Sequence, residues 1–118
     1  MRRQALTLLA VLLALVIAWP GAAAAAEVYQ VRSGTLLQVG DGNRSYLVEL
    51  ACMELAPGQE AEAVSWLRQA LPRRTRVNLR PMGQRDGTLL ARVSLLAGGE
   101  DIADGLIGAG LARPEACP

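Results

Sequence analysis

Histidine, lysine and phenylalanine are absent from the 118 residues of this chain. Without histidine there is no imidazole to act as a general base near neutral pH, and none to ligate a metal. Two cysteines with no CxxC pair exclude a zinc ribbon and thioredoxin-like exchange. Aromatic residues make up only 3% of the chain. Beyond the first 26 residues they are Tyr29, Tyr46 and Trp66, so platforms for stacking nucleic-acid bases are scarce. A net charge of +1 gives no general attraction to nucleic acid or to an anionic membrane. Any anion binding must come from a local patch.

What is present begins with Arg2 and Arg3, an apolar run from Ala5 to Trp19, a Pro20-Gly21 break and five alanines, Ala22 to Ala26. This is the layout of a secretory signal peptide over residues 1–26. It predicts cleavage near Ala26 and a secreted or periplasmic product. The alternative is a retained anchor, but the run is shorter than the roughly 20 residues that span a bilayer. Taking 26 from 118 leaves 92 residues, enough for one small domain, 27–118. That part holds 10 arginines against 11 acids, a net charge of −1.

Cys52 and Cys117 both lie in this domain, and an oxidising compartment favours a disulfide between them. Two inert thiols, or oxidation by an external partner, are the alternatives. A bridge would close a loop of about 65 residues, worth on the order of 4 kcal/mol in chain entropy.

Strand signals run from Glu27 to Cys52, with a bend at Ser33-Gly34 and a hairpin turn at 41–43. In SYLVELAC, Tyr46, Val48, Leu50 and Cys52 alternate with Ser45, Leu47, Glu49 and Ala51. The segment PGQEAEAVSWLRQALP reads as a helix, with Glu60 and Glu62 early, Arg68 late and Pro72 as its stop. Its apolar stripe is Val64, Leu67 and Leu71 with Ala63 and Ala70. Thr75, Val77 and Leu79 alternate with Arg74, Arg76, Asn78 and Arg80 on a further strand. After a turn at 84–87 comes the strand TLLARVSLL, and then a short helix capped by Asp101 with Ile102, Leu106 and Ala109 apolar. Five strands with a helix inserted after the third predict an α+β chain, mainly β, forming a small OB-type Greek-key barrel with two helices.

Three stretches resemble the thermonuclease (staphylococcal nuclease-like) family. VELACM is similar to the family's V-R-L-x-G-I-D-x-P-E, RDGTLLARVSL to its D-x-Y-G-R-x-L-A-x-V, and GEDIADGLIGAGLAR to its G-x-x-V-N-x-x-L-V-x-x-G-L-A. SGTLLQV stands where the family has D-G-D-T, and the resemblance covers roughly Val28 to Arg113. It implies a five-stranded OB barrel and Ca²⁺-dependent hydrolysis of DNA or RNA phosphodiester bonds. Carried across by position, the family's metal-binding Asp falls at Gly34 and its phosphate-binding Arg at Glu49. Its second metal-binding Asp falls at Glu54, its water-activating Glu at Pro57 or Gly58, and its second Arg at Thr88. Glu54 is the one surviving acid. A lone carboxylate cannot make a Ca²⁺ site of six to eight oxygens, and Glu49 places repulsion where a phosphate would sit.

The resemblance therefore implies a degenerate nuclease, with no cofactor expected. Arg68, Arg73, Arg74, Arg76, Arg80, Arg85 and Arg92 crowd one stretch interrupted by Asp86. Arg74, Arg76 and Arg80 form a phosphate-track candidate for nucleic acid or another polyanion. A solvated outer barrel face is the plainer explanation of the same charges. Two alternatives stay open. One is an active Ca²⁺-dependent nuclease rebuilt around Glu49, Glu54 and Asp41 or Asp86. The other is a structural envelope protein docking a protein partner without a ligand.

Overall fold

The structure, a computed structural model, describes residues 24–118. Its strands are β1 (Ala24–Val31), β2 (Leu36–Gly40), β3 (Ser45–Leu50), β4 (Met53–Leu55), β5 (Arg76–Arg85), β6 (Thr88–Leu95) and β7 (Ala112–Pro114). Its helices are α1 (Glu60–Ala70) and α2 (Ile102–Gly108). Five strands close a barrel in the order β1-β2-β3-β6-β5, and β4 pairs with β7 in a separate ribbon. The β3–β6 pair is parallel and the other barrel pairs are antiparallel. This is the small OB-like α+β architecture expected, with α1 entering after the third barrel strand.

Local chemistry explains the elements. Gly42 adopts φ +97°, so the β2–β3 hairpin turns where the DGN sequence requires it. Val48 and Leu50 point into the barrel, as the alternation in SYLVEL demands. Val77 and Leu79 do the same from β5. Pro81 lies in β5 beyond the last residue paired with β1, next to an irregularity in the β6 register, where its missing N–H is tolerated. Ala63 and Leu67 of α1, with Leu71 just after it, close one side of the core, and Ile102, Ala103 and Leu106 of α2 are buried in the same cluster. Asp101 caps α2 by accepting the Asp104 N–H at 3.1 Å. Gly105 is buried against Trp66, whose Cη2 would lie 2.6 Å from any Cβ there. Trp66 is thus spent on helix packing.

The Cys52–Cys117 disulfide is present. Cys52 sits just past β3 at φ +66°, a left-handed conformation unusual for a side-chain-bearing residue. The chain kinks there, leaves the barrel and enters the ribbon.

Three expectations change. Arg74 is not on a strand: its φ of +72° puts it in a turn, and β5 starts two residues later. It therefore does not share a strand face with Arg76 and Arg80. Ala109 is exposed at the C-cap of α2, outside the apolar stripe assigned to it. The β4–β7 ribbon adds two short strands to the five expected. The predicted leader lies outside the described residues up to position 23, and its last residues, Ala24–Ala26, belong to β1. There they pair with Leu79, Asn78 and Val77 and help close the barrel. Among the described residues no helix is long and apolar enough to cross a membrane.

Candidate functional site

The strand end at residues 48–58 and its neighbours decide what chemistry the barrel can carry. Glu49 projects outward from β3, flanked by the inward Val48 and Leu50, and pairs in register with Leu36 and Leu90. Its carboxylate faces Arg85, with Oε1 and Nη1 3.8 Å apart. Arg85 pairs with Thr88 across the β5–β6 hairpin. Glu49, Arg85 and Thr88 are therefore brought to one end of the barrel, with the acid and the base partly neutralising each other. A weak, partly exposed pair of this kind adds about 0–1 kcal/mol to stability.

Glu54 does not join them. It sits on β4 opposite Arg113 of β7, exposed and outside the barrel. Pro57 and Gly58 form an exposed turn, with Gly58 at φ +73°, and carry no carboxylate.

Gly34 is closed over. Its N–H donates to Glu60 Oε1 at 2.8 Å, so a carboxylate from the first turn of α1 reaches back to the β1–β2 turn. A Cβ at Gly34 would lie 2.7 Å from Leu55 Cδ1 and 2.9 Å from Glu60 Oε2. Real Cβ atoms do not come that close, so the turn admits no aspartate without movement. The sequence marks Glu60 only as an acid suited to the helix dipole. No local signal marks a contact between residues 26 apart in the chain.

The donor set does not suit Ca²⁺. Glu54 is on the ribbon, Glu49 faces an arginine, and the Glu60 carboxylate is bonded to a backbone N–H beside Leu55. Among the described residues no three Asp, Glu, Cys or His side chains cluster as metal ligands do. Hard cations need several convergent oxygens, which this arrangement does not supply.

The C-terminal segment overhangs the same strand end. The disulfide fixes Cys117 to Cys52, and the Glu115 N–H donates to the Cys52 carbonyl at 3.0 Å. A cleft of about 80 Å³ remains, with Glu49, Arg85 and Leu90 on the barrel side and Glu115, Ala116 and Pro118 from the tail. It is small and acid-rimmed, a poor seat for a phosphodiester.

The arginines divide into two groups. Arg92 is committed: its Nε lies 3.3 Å from Asp101 Oδ2 and its Nη2 3.2 Å from Asp104 Oδ2, which ties β6 to the start of α2. Arg85 lies near Glu49 but keeps most of its side chain exposed. Arg76 and Arg80 stand exposed on β5, and Arg74 is exposed in the turn before it. Among the described residues none of these three makes an ion pair. Arg74 is held by its backbone, whose N–H donates to the Val28 carbonyl at 2.7 Å.

The tyrosines are engaged in the β2–β3 hairpin. The Tyr29 hydroxyl accepts the Gly42 N–H at 3.2 Å, and the Tyr29 ring covers Gly40. Burial pushes the Tyr46 hydroxyl above its ordinary range, with the Asp41 carboxylate adding to the rise and Arg44 opposing it. Both rings are half-buried, and Tyr46 packs against the core.

The chain matches no family model and no curated protein.

Proposed function

We propose that this chain is an exported, non-catalytic OB-like module of thermonuclease type that binds polyanions through Arg74, Arg76 and Arg80. One observation carries the reading. Among the described residues Arg74, in the turn before β5, and Arg76 and Arg80 on β5 are exposed and make no ion pair, although Glu27 stands opposite Arg76 in the β1–β5 register, while Arg92 is tied to Asp101 and Asp104. Exposed guanidiniums without an ion pair are suited to phosphate or sulfate oxygens, which they can bind bidentately. The barrel supports the resemblance at the level of fold. The closed turn at Gly34, the Glu49–Arg85 pair and the displaced Glu54 argue against hydrolysis at the family's position. Because the aromatic rings are engaged elsewhere, binding would follow the backbone charge of a strand and not its bases.

Heparin and single-stranded DNA retention at increasing salt test the reading. Three phosphate contacts give a slope of about −2 in log affinity against log salt for a single strand. Arg76→Gln and Arg80→Gln should each make that slope shallower by roughly one contact. A protein that passes through heparin at low salt would sink the proposal. Salt-dependent retention unchanged in both variants would move binding to another face.

A further inference from the structure

An apolar groove lies where the segment after α1 meets the end of β6, away from the strand-end cleft. It is shallow and open to solvent, with a volume of about 490 Å³. Ala70 and Pro72 line it together with Leu95, Leu96 and Ala97, and Thr75 and Arg76 complete it. Leu96, at 40% exposure, is the one large apolar side chain left exposed among the described residues. An occupant that covered it would remove apolar area from water.

Several of the polar groups around this groove already have partners. The Thr75 hydroxyl donates to the Pro72 carbonyl, and the Thr75 carbonyl accepts the Val28 N–H at 2.9 Å. The Leu96 N–H donates to the Arg76 carbonyl at 3.0 Å, and the Gly98 N–H to the Leu95 carbonyl at 3.1 Å. A peptide laid here would find few of these groups free to pair with its own amides, and an unpaired buried amide is costly. A hydrocarbon chain has no such requirement. Charge selects the other end of the occupant. No carboxylate lines the groove itself, although Glu27 stands opposite Arg76 in the β1–β5 register; Arg76 lines it, and Arg73 and Arg74 lie on the turn between the lining residues Pro72 and Thr75. None of the three makes an ion pair among the described residues.

We infer that this groove binds a single-chain anionic amphiphile, its alkyl tail against Pro72, Leu95 and Leu96 and its charged head at Arg76. The inference rests on the arginine-face reading in one respect, the use of Arg76 as an anion partner. It adds an apolar subsite that a polyanion would not need.

Calorimetric titration of the folded, oxidised protein with hexyl, octyl and decyl sulfate, each below its micelle concentration, tests it. Alkyl maltosides of the same lengths serve as neutral counterparts. Affinity should rise by about fourfold per methylene seated, until the groove is full. Arg76→Gln should weaken the sulfates about tenfold and leave the maltosides unchanged. Leu96→Asp, at an exposed position, should abolish the dependence on chain length. Arg80→Gln should lower heparin retention and leave alkyl sulfate binding intact. Affinity independent of chain length, or unaffected by Leu96→Asp, overturns the proposal. Maltosides as tight as sulfates overturn the anionic head. A leucine-bearing acidic peptide tighter than every alkyl sulfate, or a dimer that Leu96→Asp dissolves, gives the groove to a different occupant and overturns it as well. Heparin retention without alkyl sulfate binding defeats the groove alone. Alkyl sulfate binding without heparin retention defeats the arginine-face reading and leaves the groove standing.

Discussion

Removing the Cys52–Cys117 bond by the double substitution Cys52→Ala, Cys117→Ala should cost most of its energy in the unfolded chain. The bond spans a sequence separation of 65, so it removes loop-closure entropy worth about 4 kcal/mol at 25 °C. In the native state the tail has other holds. Met53 to Leu55 pair with Ala112 to Pro114, the Glu115 N–H bonds the Cys52 carbonyl, and the Ala56 N–H bonds the Leu111 carbonyl at 3.0 Å. The folded structure should therefore survive the double substitution largely unchanged. Against a total stability of about 5–15 kcal/mol, a loss near 4 leaves a marginal domain. At roughly 4–8 °C per kcal/mol for a domain of this size, Tm should fall by about 16–32 °C. Urea unfolding followed by circular dichroism measures the change, and the slope m should rise because the uncrosslinked chain exposes more surface. Amide exchange at Ala56 and Glu115 reads the native side, and both should stay protected. A loss of less than about 1 kcal/mol with m unchanged would refute the entropic account. Loss of protection at Glu115 would show instead that the bond is what holds the ribbon together.

Three further outcomes follow from the packing. A chain beginning at Glu27 loses three of the four register pairs between β1 and β5, together with the buried Ala26 methyl, and should be about 3 kcal/mol less stable in urea than one beginning at Ala24. Equal urea midpoints would mean that these alanines do not help close the barrel. Gly34→Asp, which places a carboxylate where the resemblance expects one, should destabilise by about 1–3 kcal/mol through overpacking against Leu55 and Ala63, with further repulsion from Glu60. It should gain no Ca²⁺ affinity by calorimetry, and a stable variant that binds Ca²⁺ would contradict the account of the turn. The Tyr46 ring, followed by NMR, should titrate above the ordinary tyrosine value, and Asp41→Asn should lower its midpoint only in part because burial is the larger cause. Since the folded-state value is raised, the stability it contributes is complete below the unfolded-state value and is lost as pH climbs through the folded one.

The barrel was legible because its strands carry a clear period and its turns carry glycine. Val48 and Leu50, and Val77 and Leu79, alternate as a half-buried sheet must. Asp101 announced α2, and the acids-first order announced α1. The ribbon was not legible, because strands of three residues show no period. Arg74 was misassigned because polar alternation looks alike in a strand and in a left-handed turn just before one. At the site, the absence of a carboxylate at Gly34 and Pro57 could be read directly from the sequence. Its three-dimensional consequences could not. The Glu60 contact with Gly34 and the Glu49–Arg85 pair join residues far apart in the chain through the closed barrel. Exposure of Leu96 is likewise a tertiary fact, since TLLARVSLL offers several leucines that look equally suited to the core.

The central claim, polyanion binding without hydrolysis, is tested most directly by a single incubation. End-labelled single-stranded DNA is mixed with the oxidised protein in millimolar Ca²⁺, with a chelator control, and run on native and denaturing gels. The account predicts a strand retarded on the native gel at low salt, intact on the denaturing gel, and indifferent to the chelator. Shortened fragments that disappear with the chelator, and with Glu54→Gln, would contradict it.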